Sequence, residues 1–193
     1  TYNQANDTSY TAQDIQLALT GDASAPVSQL AVLLHLSTSL KSFVDTGMAE
    51  ALEQFQADLI RIVQTLRTLN PTAQIILTNQ YNPYGILKNV TSFSSLADQF
   101  DTGVGKLNAA IQAAIAQAGV DHLTLADVYT PFQAAIDRGE NPCNASATGL
   151  SDINPDFHPN ALGHTLMAQA VAAALDLPDT ATDIQVGGVT LQG

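Results

Sequence analysis

Two long amphipathic helices, each followed by a short apolar strand, fill the middle of the chain. From Met48 to Leu69 the residues Leu52, Phe55, Leu59, Ile62, Val63 and Leu66 recur three or four apart, which draws one apolar stripe along a helix. Asn70-Pro71 stops it. Gln74 to Thr78 then reads as a short buried strand. A second helix spans about Ser95 to Ala118, with Leu96, Phe100, Val104, Leu107, Ile111 and Ile115 on one face. Gly119 ends it, and Val120 to Ala126 is the next strand. This rhythm predicts a parallel α/β sheet. Such sheets bind ligands outside the carboxyl ends of their strands, where the loop Asn79 to Gly85 lies.

The flanks are less regular. Residues 1–28 are polar and read as loop with one short element at Ile15 to Leu19. Gln29 to Leu40 is apolar, and periodicity leaves helix and buried strand both open. A short helix is expected near Phe132 to Asp137, a Gly/Asn/Ser loop from Arg138 to Asp152, and a last long helix from Ala161 to Leu175. The tail, Asp183 to Leu191, reads as an added edge strand. The 193 residues form one domain: 1–47 the least defined part, 48–175 the α/β body and 176–193 a tail. The chain starts abruptly at Thr1, as a processed or truncated product would.

Charge narrows the partners. Lys plus Arg number 6 against 18 Asp plus Glu, for a net charge of -12, so nucleic acid and anionic membranes would be repelled. No apolar run reaches the length of a membrane span, and no signal peptide is visible. Sparse, acidic charge suits a secreted or otherwise extracytoplasmic protein, or one living in acid. The lone Cys143 cannot form an internal disulfide. Sequons at Asn6, Asn89 and Asn144 matter only in a glycosylating host. No His/Cys/Asp grouping has metal-ligand spacing.

The chemistry concentrates in Asp156-Phe157-His158-Pro159-Asn160-Ala161-Leu162-Gly163-His164. Pro159 suits a first helical turn, where its missing N–H has no partner to lose. His158 is thereby left at the mouth of a helix. A histidine there can take a proton from a nucleophile and return it to a leaving group, and a nearby carboxylate can hold its ring. The bland alternative is a helix-start histidine that bonds locally. His164, one and a half turns further on, reads as a structural partner; His35 and His122 read as core or sheet-edge residues. Tyr81 and Tyr84 fit either an acyl pocket or ordinary aromatic packing.

Two segments resemble the SGNH (GDSL-type) hydrolases. The run from Phe55 through Asp58-Leu59-Ile60, Asn70-Pro71 and Ile75-Ile76-Leu77-Thr78 to Tyr81-Asn82-Pro83-Tyr84 is similar to their middle. Asp156-Phe157-His158-Pro159-Asn160-x-x-Gly163-His164 is similar to their last block, which supplies the acid and base of a Ser–His–Asp triad. The resemblance implies a flavodoxin-like three-layer α/β/α sandwich with a parallel sheet, incomplete at its N-terminus. It also implies ester hydrolysis without metal or organic cofactor. His158 matches the general base. Asp156 matches the acid, two residues before the histidine where many members have three; position 155 is proline, and Asp152 is the reserve.

The family's Gly-Asp-Ser nucleophile motif has no counterpart here. The nearest string is Gly21-Asp22-Ala23-Ser24, where the inserted alanine turns the serine away. A second alignment sets Gln4-Ala5-Asn6-Asp7 on the family's Gly-x-Asn-Asp block, which makes Asn6 a candidate oxyanion donor. The chain is then the C-terminal part of a longer hydrolase, with the first strands, the serine and one oxyanion donor upstream: cleaved off, carried on a separate N-terminal chain or segment, or absent altogether. The expected activity is carboxylic ester hydrolysis through an acyl-enzyme, on a small-molecule, lipid or acylated-glycan ester. Ser24 is the only local nucleophile candidate. The alternative is a non-catalytic SGNH-like binding module.

Overall fold

The computed structural model describes residues 2–19, 22, 24–90, 93–149, 152–154, 156–175, 183–186 and 189–192. The N-terminal part is helical rather than looped: α1 (Tyr2–Asn6) and α2 (Ala12–Leu19) precede α3 (Gln29–Ser42). The start of α2 is a reciprocal cap. The Thr11 main-chain N–H donates to Asp14 Oδ2 at 2.7 Å, and the Asp14 N–H donates to Thr11 Oγ1 at 3.2 Å. Ala18, Val27 and Val32 form a small core there, joined by Tyr2, Tyr10 and Ile15.

The open question at Gln29 to Leu40 resolves to helix. From α3 the chain passes without a break through a π-helical segment (Phe43–Gly47) into α4 (Met48–Leu69). A π-turn disturbs the regular bonding of main-chain carbonyls. Here the Lys106 ammonium donates to the carbonyl of Val44.

The body follows the expected rhythm. β1 (Ile75–Thr78) pairs in parallel with β2 (Leu123–Ala126), in the register Ile75 opposite Leu123 and Thr78 opposite Ala126. α5 (Ser94–Ala118) crosses between them and ends at Gly119, whose φ of 61° is the left-handed conformation that glycine adopts without a Cβ penalty. Val63 of α4, Ala118 of α5 and Ile75 make the core against the sheet, with Leu59, Leu77 and Leu123 around them. α7 (Ala161–Ala174) also lies against both strands. The fold is α/β, mostly helical, with a two-stranded parallel sheet among the described residues.

Three expectations change. The inward stripe of α4 is only partly covered: Val63 is buried, but Phe55, Ile62 and Leu66 are exposed. Among the described residues, the two parallel strands and α5 cover only part of that stripe. The loop from Arg138 onward contains β3 (Ser146–Gly149), which pairs antiparallel with β4 (Asp152–Asn154). The tail does not extend the parallel sheet. Its residues 183–186 and 189–192 form β5 and β6, which pair with each other.

α6 (Tyr129–Asp137) carries Phe132, fully buried among Val128, Cys143, Leu166 and Met167 and stacked on Tyr81 with ring centroids 4.4 Å apart. It joins the loop after β1, the 141–144 segment and α7. Phe132→Ala should therefore cost about 3–5 kcal/mol of unfolding free energy. Urea titration of the two proteins checks this; a loss below 1 kcal/mol would mean that Phe132 is not the keystone of this layer.

Candidate active site

Asparagines hold the loops at the carboxyl end of the sheet. Asn79, directly after β1, donates its side-chain N–H to Asp127 Oδ1 at 2.7 Å and accepts the N–H of Val128 at 2.7 Å. Burial works against the Asp127 charge, but bonds from Thr130, Asn79 and Tyr129 outweigh it and keep that carboxyl below the usual range. Asn82, also buried, accepts the N–H of Tyr84 and donates to Asp101. Burial, followed by the bond to Asp101 and that residue's charge, pushes the Tyr129 phenol up to about 12. The loop after β1 is thus fixed to the loop after β2 and to α5.

The His158 loop is anchored from the other side. Asn160 caps α7, accepting the Gly163 N–H at 3.2 Å. Its side chain donates to the carbonyls of Asn141 at 2.6 Å and Cys143 at 3.0 Å. Its main-chain N–H reaches the Pro142 carbonyl at 3.0 Å, and Cys143 faces Pro159 in an isolated antiparallel bridge. The two segments approach so closely that a Cβ on Gly163 would sit 2.2 Å from the Pro142 carbonyl oxygen. Glycine is required there by space.

On this frame Asp156 and His158 meet. Asp156 Oδ1 lies 2.6 Å from His158 Nδ1 and accepts the His158 main-chain N–H at 3.0 Å. Its Oδ2 accepts from the Asn144 side chain at 3.1 Å. Bonds from the His158 backbone and side chain, and then from Asn144, hold the Asp156 carboxyl below the usual carboxylate range. With Nδ1 facing the carboxylate, Nε2 is the nitrogen available to exchange protons, on a side chain 69% exposed. Phe157 stacks on the imidazole at 4.5 Å. The Tyr81 hydroxyl reaches the Phe157 carbonyl at 3.4 Å, which brings the loop after β1 to the pair. Burial, then the charge of Asp156, pushes up the Tyr84 phenol.

The other candidates lie elsewhere in the hydrogen-bond pattern. The Ser24 hydroxyl donates to Asp22 Oδ1 at 2.6 Å, and none of its bonds reaches His158. Asn6 donates its side-chain N–H to the Tyr2 carbonyl within α1. Gly21, Ala23, Pro155 and the Asp152 side chain lie outside the described residues. His122 is a sheet-edge residue whose carbonyl accepts the Ile75 N–H, and His35 packs edge-on against Tyr2. Asn144 was legible only as a sequon. Its part in the pair depends on a contact twelve residues away in sequence, which no local pattern encodes.

Three outcomes follow. Gly163→Ala should lose about 2–3 kcal/mol in chemical denaturation, because the obstacle is backbone rather than a mobile side chain. Burial, aided by the Asp156 charge, pushes the Cys143 thiol up to about 12, so iodoacetamide at pH 8 should leave it unmodified until the chain is unfolded. A depressed carboxyl stabilises the fold above its unfolded pKa, and that contribution is lost as pH falls through the folded value. Carbon-detected NMR should therefore find the Asp156 midpoint below that of an aspartate in the unfolded chain; an equal or higher midpoint would contradict the contacts described.

No curated protein and no solved structure matches the chain. Among family models, that of the GDSL-like lipase/acylhydrolases matches residues 42–166, which takes in α4, both parallel strands, Asp156, His158 and the start of α7. The match covers well over half of the sequence, and the chain belongs to the GDSL-like lipase/acylhydrolase family.

Proposed function

We propose that the chain supplies the base and acid of a serine ester hydrolase acting through an acyl-enzyme. The observation that carries this reading is the 2.6 Å contact between His158 Nδ1 and Asp156 Oδ1 at the carboxyl end of the sheet, in a chain of this family. A serine hydroxyl attacks the ester carbonyl while His158 Nε2 takes its proton. The imidazolium, held by Asp156, passes that proton to the departing alcohol. Water then gives a proton to His158 and attacks the acyl carbon; as the serine oxygen leaves, His158 returns that proton to it, which releases the acid and restores both serine and base.

The lack of a Gly-Asp-Ser motif, together with a Ser24 hydroxyl bonded to Asp22 rather than to His158, supports a serine carried on a separate N-terminal chain or segment. That segment also brings oxyanion donors, since Asn6 is engaged within α1. A small-molecule, lipid or acylated-glycan ester is the substrate class, and the acidic chain suits an extracytoplasmic setting. A non-catalytic binding module is favoured by one observation, the exposed Phe55, Ile62 and Leu66 on α4, a face suited to covering by another polypeptide.

A serine-directed fluorophosphonate with mass-spectrometric mapping tests the assignment. The expected result is no label on Ser24, with hydrolysis of a p-nitrophenyl ester appearing only when an N-terminal family segment is supplied. His158→Ala should then lower kcat about 10⁴-fold or more with the fold intact by circular dichroism. A label on Ser24 would make the chain a complete enzyme, and full turnover in His158→Ala would remove the pair from the mechanism. Absence of both label and rescue leaves the binding module.

A further inference from the structure

Asp156 does two tasks at once. Its Oδ1 closes a tight turn by accepting the His158 main-chain N–H, and the same oxygen faces the imidazole. A carboxylate held by one oxygen can still swing about its last torsion, which is broad and soft. The second oxygen is what fixes the plane, and it is taken by Asn144. The main-chain N–H of Asn144 also donates to the His158 carbonyl at 2.9 Å. One residue therefore grips both members of the pair, the acid by its side chain and the base by its backbone.

Asn144 is itself held. Its carbonyl accepts from the Asn154 side chain at 2.9 Å, and Asn154 Oδ1 accepts the Asp156 main-chain N–H at 3.1 Å. The circuit Asn144–Asp156–Asn154 closes on itself, beside the Cys143–Pro159 bridge and the Asn160 clamp. All of this matters because the acid stands two residues before the base. With so short a connection, Asp156 must satisfy its own turn, and an outside donor has to stop it from turning away from the ring.

We propose that Asn144 is a positioning residue of the site, fixing the Asp156 carboxylate so that it selects the His158 tautomer with the proton on Nδ1. This rests on the hydrolase reading above. A donor amide is the right chemistry: it adds no charge and cannot compete for the imidazole proton as a second carboxylate would. An outer contact of this kind acts by holding the base in line, where misplacement by about 1 Å can cost about 100-fold in rate.

The test needs no turnover. Nitrogen-15 spectra of the imidazole distinguish which ring nitrogen carries the proton. The Nδ1–H form of His158 should dominate in the parent chain and give way to mixed tautomers in Asn144→Ala. The Asp156 carboxyl midpoint should rise in the same variant, because one donor to the carboxylate is gone. Asn144→Asp, of equal size, should disturb the tautomer at least as much and serves if the alanine variant fails to fold. Supplied with its serine, Asn144→Ala should lower kcat by up to about 100-fold at unchanged KM. A parent chain with tautomers already mixed would sink the hydrolase reading. A parent with the Nδ1–H form, unchanged in both variants, would overturn the role of Asn144 alone.

Discussion

The antiparallel seam between residues 141–144 and 158–160 is the constraint on which the site depends. Neither segment is held by a sheet of any length. One isolated bridge, a few main-chain bonds and the amide of Asn160 keep them together, with Gly163 leaving room for the Pro142 carbonyl. Each bond alone contributes about 1 kcal/mol net. Together they decide where His158 stands, because it lies two residues before the Asn160 cap, outside α7, and the proline after it disfavours helical dihedrals.

The sheet contributes position rather than chemistry. Asn79 and Asp127 directly follow β1 and β2, and those two side chains bind each other and the start of α6. Buried amides need all their partners, so these loops have little freedom. Tyr81, stacked on Phe132, then carries the order of the strand ends across to Phe157. A half-exposed carboxylate–imidazole pair is thereby mounted on a buried polar scaffold.

Much of this was legible in the sequence where the signal is periodic. The helices over Met48–Leu69 and Ser94–Ala118 and the two strands follow from apolar spacing and from Asn70-Pro71 and Gly119. The separation of Asp156 and His158 by one residue brought both to one turn, and their contact is local. Other features lack a periodic signal. The Thr11-x-x-Asp14 cap announces α2, but a polar surround hides it. The π-helical segment has no composition of its own. The two-residue chain of contacts from Asn144 and Asn154 exists only once β4 has turned back on β3. How far the α4 stripe is covered depends on the sheet's width, which helical spacing cannot report.

The π-helical segment between α3 and α4 has a geometric effect on the whole molecule. It accommodates one residue more per turn than an α-helix, so everything after it is rotated by about 100° relative to an unbroken rod. Val32 of α3 can then face Ala18 and Val27, while Val63 of α4 faces Ile75 and Ala118. A single continuous helix from residue 29 to residue 69 thus serves two separate interiors. Removing one residue there and returning the turn to α-helix would leave the two faces in the same relation, so the π-turn acts as an insertion that the helix absorbs without turning Val63 away from Ile75.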